Sequence, residues 1–259
     1  MDINLYLRGL TMGMASYRNG GAVAPAREGK PNPLETWFDS HVEGEGIIKW
    51  RHYLEAYHRH FAKFVGTEVH ILEIGVFAGG SLQMWKDYFG PGCHVYGVDI
   101  REECKVHEQE SIRILIGDQG DLGFWKAVRE QVPKLDIVID DGSHIVEHQI
   151  VSLYALLPHL RPGGVYMVED TYSMTNAFHD YAAGLSRNIH AWGQLKPGVH
   201  NPHDGLIPEA FQRSVGSMHV YPYLTVFEKH DDPSREFSAP RMGNRWEPWL
   251  VPQELLNKK

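Results

Sequence analysis

Short apolar runs alternate with longer amphipathic stretches along most of the chain. Val69–Ile74, Val95–Val98, Ile112–Ile116, Ile137–Ile139 and Val165–Val168 are continuous and rich in β-branched residues. Runs of that kind mark parallel strands covered on both faces, and helix-like stretches follow them. A helix is predicted from Ile48, where Trp50, Leu54, Tyr57, Phe61 and Phe64 recur at steps of four and three on one face. Another is predicted from about Ile145 to Leu160, with Val146, Ile150, Leu153, Leu157 and Leu160 inward and Arg161-Pro162-Gly163-Gly164 as its stop. Strand–helix alternation repeated in this way predicts a doubly wound α/β sheet.

The flanking segments break that rhythm. Residues 1–45 are rich in Gly, Pro and polar residues and read as a loosely structured arm over the site, with residues 46–259 forming the main domain. Residues 173–216, with many Gly, His and Asn, read as an insertion that binds the acceptor. Met218–Lys229 supplies strand material around Pro222, as for a closing antiparallel hairpin. The Trp246–Trp249 segment reads as packing or a dimer contact.

Composition narrows the function classes. The chain has 259 residues, 42% hydrophobic and 22% charged, enough to bury a sizeable core. Its formal net charge of −8 argues against nucleic acid or an anionic membrane as the main partner. Only Cys93 and Cys104 occur, which excludes a disulfide framework or a four-cysteine zinc site. The start of the chain does not read as a signal peptide, and no apolar stretch approaches membrane-spanning length. A cytoplasmic protein is expected, and on general grounds a homo-oligomer, a dimer first.

The candidate chemistry sits at the predicted strand ends, where open α/β sheets bind ligands. The first strand runs into Glu73-Ile-Gly75-Val-Phe77-Ala-Gly79-Gly80-Ser81. The second glycine of a dinucleotide-binding turn is replaced by Phe77, which would obstruct a pyrophosphate, so a cofactor without one fits better. Asp99 follows 24 residues after Gly75, placed for ribose hydroxyls, and Asp118-Gln119 ends the third strand. A bland reading makes Gly75 and Gly79 a tight turn and Asp99 a helix cap, but it leaves the ordered series of motifs unexplained. The fourth strand ends in Asp140-Asp141-Gly142-Ser143-His144 and the fifth in Glu169-Asp170. Carboxylates crowded at one rim repel one another unless a cation sits among them, and oxygen ligands suit Mg²⁺.

The pattern E-x-G-x-x-x-G-x-S resembles the first motif of the class I S-adenosylmethionine-dependent methyltransferases. D-x-x-H after strand four and Glu-Asp after strand five resemble a narrower group, the metal-dependent sugar O-methyltransferases, including those acting on antibiotic deoxysugars. The resemblance implies a Rossmann-like sheet and a cofactor, S-adenosylmethionine, held by Glu73, Gly75, Gly79, Ser81, Asp99, Asp118, Gln119 and Asp140. It implies Mg²⁺ on Asp141, Glu169 and Asp170, His144 as general base, and a sugar or glycoside acceptor. An exchange of roles between Asp140 and Asp141 stays open. The related catechol O-methyltransferases typically have Asp-Asn where this chain has Glu169-Asp170, which favours a sugar.

Two rivals carry their own signals. His144-Ile-Val-Glu147-His148 spells H-x-x-E-H, the inverted zinc-peptidase signature, with both histidines gripping Zn²⁺. It leaves the glycine turn and Asp99 unexplained. A non-catalytic binding module is the other, and it gives no reason to keep so many mutually repelling carboxylates.

Overall fold

Each of the five apolar runs forms a strand: β1 (Val69–Ile74), β2 (Cys93–Asp99), β3 (Ile112–Ile116), β4 (Leu135–Asp140) and β5 (Leu160–Val168). The hairpin material gives β8 (Val215–Tyr221) and β9 (Leu224–Lys229), after a small pair β6 (Gln194–Leu195) and β7 (Leu206–Ile207). The computed structural model describes residues 2–16, 30–172, 176–201, 203, 205–240 and 242–243. The Trp246–Trp249 segment lies outside them. The main sheet runs β3-β2-β1-β4-β5-β9-β8. The first five strands pair in parallel, and β9 and β8 close the edge antiparallel. The strand order reverses direction between β1 and β4, and the crevice beyond their carboxyl ends is where such sheets take ligands.

Alternate strand residues feed two apolar layers. Ile71, Val95, Ile137 and Val165 pack with Leu54, Tyr57 and Phe61 of α3 (Arg51–Phe61) and with Trp85 and Phe89 of α4 (Gly80–Phe89). Leu72, Val138 and Tyr166 face the other way. They pack with Trp125 of α5 (Leu122–Gln131), Leu153 and Leu156 of α6 (Val146–Leu156), and Phe178 of α7 (Phe178–Ile189).

One expectation is corrected. Helix α6 stops at Leu156, with Pro158 in a following turn, and Arg161–Gly164 belongs to β5 rather than terminating a helix. Its buried face carries Gln149 and Ser152 as well as Leu153 and Leu156, so a purely apolar stripe misplaces it. The stretch 173–216 contains α7, whose Phe178, Tyr181, Ala182 and Leu185 recur at helical spacing among the polar residues. Two helices are described within residues 1–45. They are α1 (Ile3–Ser16) and α2 (Pro33–Ser40), the latter started by Asn32, which accepts from Leu34 N and Glu35 N.

The chain divides into two compact units, Met1–Pro31 and Asn32–Lys259. The first carries α1, with Ile3, Leu5, Leu7 and Leu10 exposed. The second carries the sheet. No helix among the described residues is long and apolar enough to cross a membrane.

Candidate active site

The turn after β1 depends on two backbone positions that only glycine fills without strain. Gly75 has φ +92°, and a Cβ there would collide with the Asp141 carbonyl. Gly79 has φ +80° and would meet the His107 ring. This close approach of β1 and β4 opens a two-part cleft. One part, of about 340 Å³, is lined by Gly75, Phe77, Ser81, Asp99, Asp141, His144 and Asp170, among others. The other, of about 310 Å³, is a more apolar slot lined by Ile74, Asp99, Ile100, Asp118, Gln119, Ile145 and His148, among others.

Asp99 stands where the two parts meet. Its Oδ2 accepts from Val76 N at 2.9 Å and Phe77 N at 3.2 Å, and its Oδ1 accepts from Arg101 N at 3.0 Å. Burial works to raise its carboxyl, but these donors outweigh it and hold it below the ordinary range. Asp99 therefore locks the glycine turn as an anion while facing both halves of the cleft. Phe77, the residue expected to obstruct, is 73% exposed and lies along the wall.

Asp140 and Asp141 part company, because successive residues at a strand end point to opposite sides. Asp140 is fully buried beneath the cleft and does not line it. It accepts from Gln119 Nε2 at 2.7 Å, Tyr166 OH at 3.2 Å and the Ser152 hydroxyl. Burial pushes its carboxyl up to about 6. The structure thus places Asp140 as a support for Gln119, whose Oε1 accepts from Ser143 N at 2.9 Å. Glu73 is likewise buried, accepting from Ser81 Oγ and Trp85 Nε1.

Asp141 opens into the cleft and gathers with His144 and Asp170. His144 Nε2 lies 3.9 Å from Asp141 Oδ1 and 3.7 Å from Asp170 Oδ2. One ligand atom from each of the three falls within 4.8 Å of the others. His144 and Asp170 hold left-handed backbone, φ +56° and +55°, as does Phe77 at +50°. Non-glycine residues in that region are strained, and here three of them ring the cleft.

Lys49 was not foreseen. It is 3% exposed, and its ammonium donates to Asp141 Oδ2 at 2.5 Å, Glu169 Oε2 at 3.1 Å and Glu73 Oε1 at 3.4 Å. Burial alone would lower its pKa, but Asp141 and Glu169 drive it well above the lysine range. Glu169 also accepts from Tyr57 OH, and burial raises its carboxyl well above normal despite Lys49. Glu169 and Asp141 thus share the Lys49 ammonium. Asp170 Oδ1 accepts from Trp50 Nε1 at 3.0 Å and Tyr53 OH at 2.9 Å.

No family model matches the chain. The demethylmacrocin O-methyltransferase of Streptomyces fradiae is 37% identical over 200 residues, which are 71% of this chain and 49% of that protein. The mycinamicin VI 2''-O-methyltransferase of Micromonospora griseorubida is 42% identical over 135 residues, 49% of this chain and 33% of that one. The MycE methyltransferase of the mycinamycin pathway, solved with Mg, SAH and mycinamycin VI, superposes with a TM-score of 0.61 at 30% identity. That match covers 76% of this chain and 52% of MycE. Over 71% of its length the chain is thus similar to named O-methyltransferases. It spans about half the length of the curated relatives it matches.

The chain has a donor set suited to a hard cation. Glu73, Asp141, Glu169 and Asp170 bring four carboxylates to one strand-end region, and Lys49 contacts three of them. Asp141 Oδ1 and Asp170 Oδ2 face each other across His144. Oxygen ligands with negative charge left over are what Mg²⁺ selects. The inverted zinc signature does not assemble in the same way. His144 precedes α6 in left-handed backbone, and His148 Nδ1 pairs with Ser143 Oγ at 3.0 Å beside the apolar slot.

Proposed function

We propose that the chain transfers a methyl group from S-adenosylmethionine to a hydroxyl of a sugar or glycoside with the help of Mg²⁺, in saccharide or glycosylated natural-product biosynthesis. The observation that carries this reading is the Asp141–His144–Asp170 group at the mouth of a cleft over the β1–β4 switch point. The sugar acceptors in its relatives' names support a glycoside.

Gly75, Gly79, Ser81, Asp99, Asp118 and Gln119 would hold S-adenosylmethionine, whose sulfonium supplies the methyl group. The slot beside Asp118 and Gln119 has the apolar lining for an adenine ring, while Asp99 fits ribose hydroxyls. Glu73 and Asp140 serve from behind, through Ser81 and Gln119. Asp141, Glu169 and Asp170 would hold Mg²⁺, which would supply Lewis-acid polarisation of the acceptor hydroxyl. His144 takes the hydroxyl proton at Nε2, the atom that faces the two aspartates, so the charge it gains meets two carboxylates. Asn176 Nδ2 donates to the His144 carbonyl at 2.9 Å and fixes this strained turn.

Acceptor choice rests on residues 46–49, which line the cleft, together with the arm 1–45 and the 173–216 stretch. The compartment is the cytoplasm, in keeping with Cys93 and Cys104 both free and buried. The assembly is a homodimer, to be checked by light scattering on the eluted protein.

Methyl transfer followed by mass spectrometry tests the reading. S-adenosylmethionine is offered with rhamnosides, mannosides, macrolide glycosides and catechols, each with Mg²⁺ and with chelator. Metal-dependent methylation of a glycoside supports it. Reaction of catechols alone, or rates unchanged by chelator, overturns the acceptor or the metal respectively.

A further inference from the structure

Away from the cleft, α3 and the β8–β9 hairpin converge on a second cluster of metal-binding side chains. His60 Nδ1 lies 3.1 Å from Glu228 Oε1, and His219 Nε2 lies 3.2 Å from Glu228 Oε2. The ligand atoms of His60, His219 and Glu228 fall within 4.8 Å of one another. Four-coordinate Zn²⁺ binds nitrogen and carboxylate oxygen at about 2.0–2.1 Å, which sets neighbouring ligand atoms about 3.3 Å apart. The two histidine–carboxylate distances, 3.1 and 3.2 Å, lie close to that separation, and the third is within 4.8 Å.

The surroundings orient the ligands. Metal-bound histidines characteristically have the second ring nitrogen held by a polar group. His60 Nε2 meets Tyr221 OH at 2.9 Å, which presents Nδ1 toward Glu228. Ser217 Oγ donates to Glu228 Oε2 at 3.0 Å and fixes the carboxylate. The His60 side chain is 3% exposed, while His219 is 37% exposed and leaves one side open to water. Among the described residues, the lysine nearest this carboxylate is Lys63, whose ammonium is 3.7 Å from Glu228 Oε1 and whose side chain is 45% exposed.

We propose that His60, His219 and Glu228 form a Zn²⁺ site that staples α3 to the edge hairpin, with water as fourth ligand. Its two imidazoles and one carboxylate select a borderline-soft ion such as Zn²⁺, whereas the all-oxygen pair Asp141 and Asp170 selects Mg²⁺. The site restrains the helix that carries Tyr53 and Tyr57, and the hairpin whose turn carries Tyr223, the acceptor of the Tyr53 hydroxyl.

The test uses the metal-free full chain titrated with Zn²⁺ by calorimetry, and with Co²⁺ followed by visible absorption. His219→Ala and Glu228→Gln are compared with wild type. Asp141→Asn and His94→Gln serve as controls, since those residues belong to the other two metal-competent groups among the described residues. One Zn²⁺ equivalent with a four-coordinate Co²⁺ spectrum is expected, together with a rise in melting temperature. Both are lost in His219→Ala and Glu228→Gln and kept in the two controls. His219 is half-exposed, so its loss leaves a folded protein for comparison. No uptake by wild type, or uptake lost in a control variant and kept in His219→Ala, overturns the site.

Discussion

The Lys49 ammonium and the Asp141 carboxylate meet at 2.5 Å beneath the cleft, with the lysine only 3% exposed. Through this contact one cation reaches carboxylates from the ends of β1, β4 and β5 at once. Removing one partner of a buried ion group costs about 3–5 kcal/mol, because the charge left behind has no water. Lys49→Met should lower the unfolding free energy by about that much. Adding Glu169→Gln should restore part of it, and a double-mutant cycle in denaturant measures the coupling. Strictly additive losses would mean that Lys49 and Glu169 do not act as a pair.

Gly75→Ala combines left-handed backbone at φ +92° with a collision against the Asp141 carbonyl. The expected cost is at least about 2 kcal/mol, with loss of S-adenosylmethionine binding as the β1–β4 mouth is pushed open. Thermal melts and cofactor titration check both. A variant that binds the cofactor normally would remove this turn from the site.

The Asp140 carboxyl is pushed by burial up to about 6 from the ordinary aspartate value of 3.8. A raised carboxyl favours the protonated folded state, so its stabilising effect is present below about pH 4 and lost as pH rises through about 6. Asp140→Asn keeps an acceptor for Gln119 and should remove up to about 3 kcal/mol of pH dependence across that window. Unfolding free energies measured at several pH values decide it, and an unchanged slope would assign the titration elsewhere.

Tyr53 OH donates to Asp170 Oδ1 and also meets Asp170 N and the Tyr223 carbonyl. Tyr53→Phe should cost about 1–3 kcal/mol in stability by leaving these groups unpaired. It should also weaken Mg²⁺ binding, read by calorimetry, because Asp170 loses the partner that holds its strained turn. Mg²⁺ affinity equal to wild type would separate Tyr53 from the metal group.

What could be read from sequence followed periodicity. The β-branched runs, the glycine turn and the acidic strand ends are local signals, and each appears where it was expected. Lys49 was missed because its partners lie on three strands that are distant in sequence. The available clue was spacing, since Lys49, Tyr53 and Tyr57 recur at steps of four and each ends in a polar atom. Asp140 was assigned to the cofactor because adjacency hides which way a side chain turns at a strand end. The helix α7 went unseen because its composition resembles a loop while its apolar spacing does not.

Phe77, His144 and Asp170 have a consequence for anyone engineering this chain. Each holds a conformation that glycine adopts freely, at a cost to folding of order 1 kcal/mol or more. A screen for heat resistance alone would be drawn toward glycine at these positions, erasing the proposed proton acceptor and an acid while the melting curve improved. Thermal selection and turnover therefore pull this rim in opposite directions, and a hardened variant needs both screens applied together.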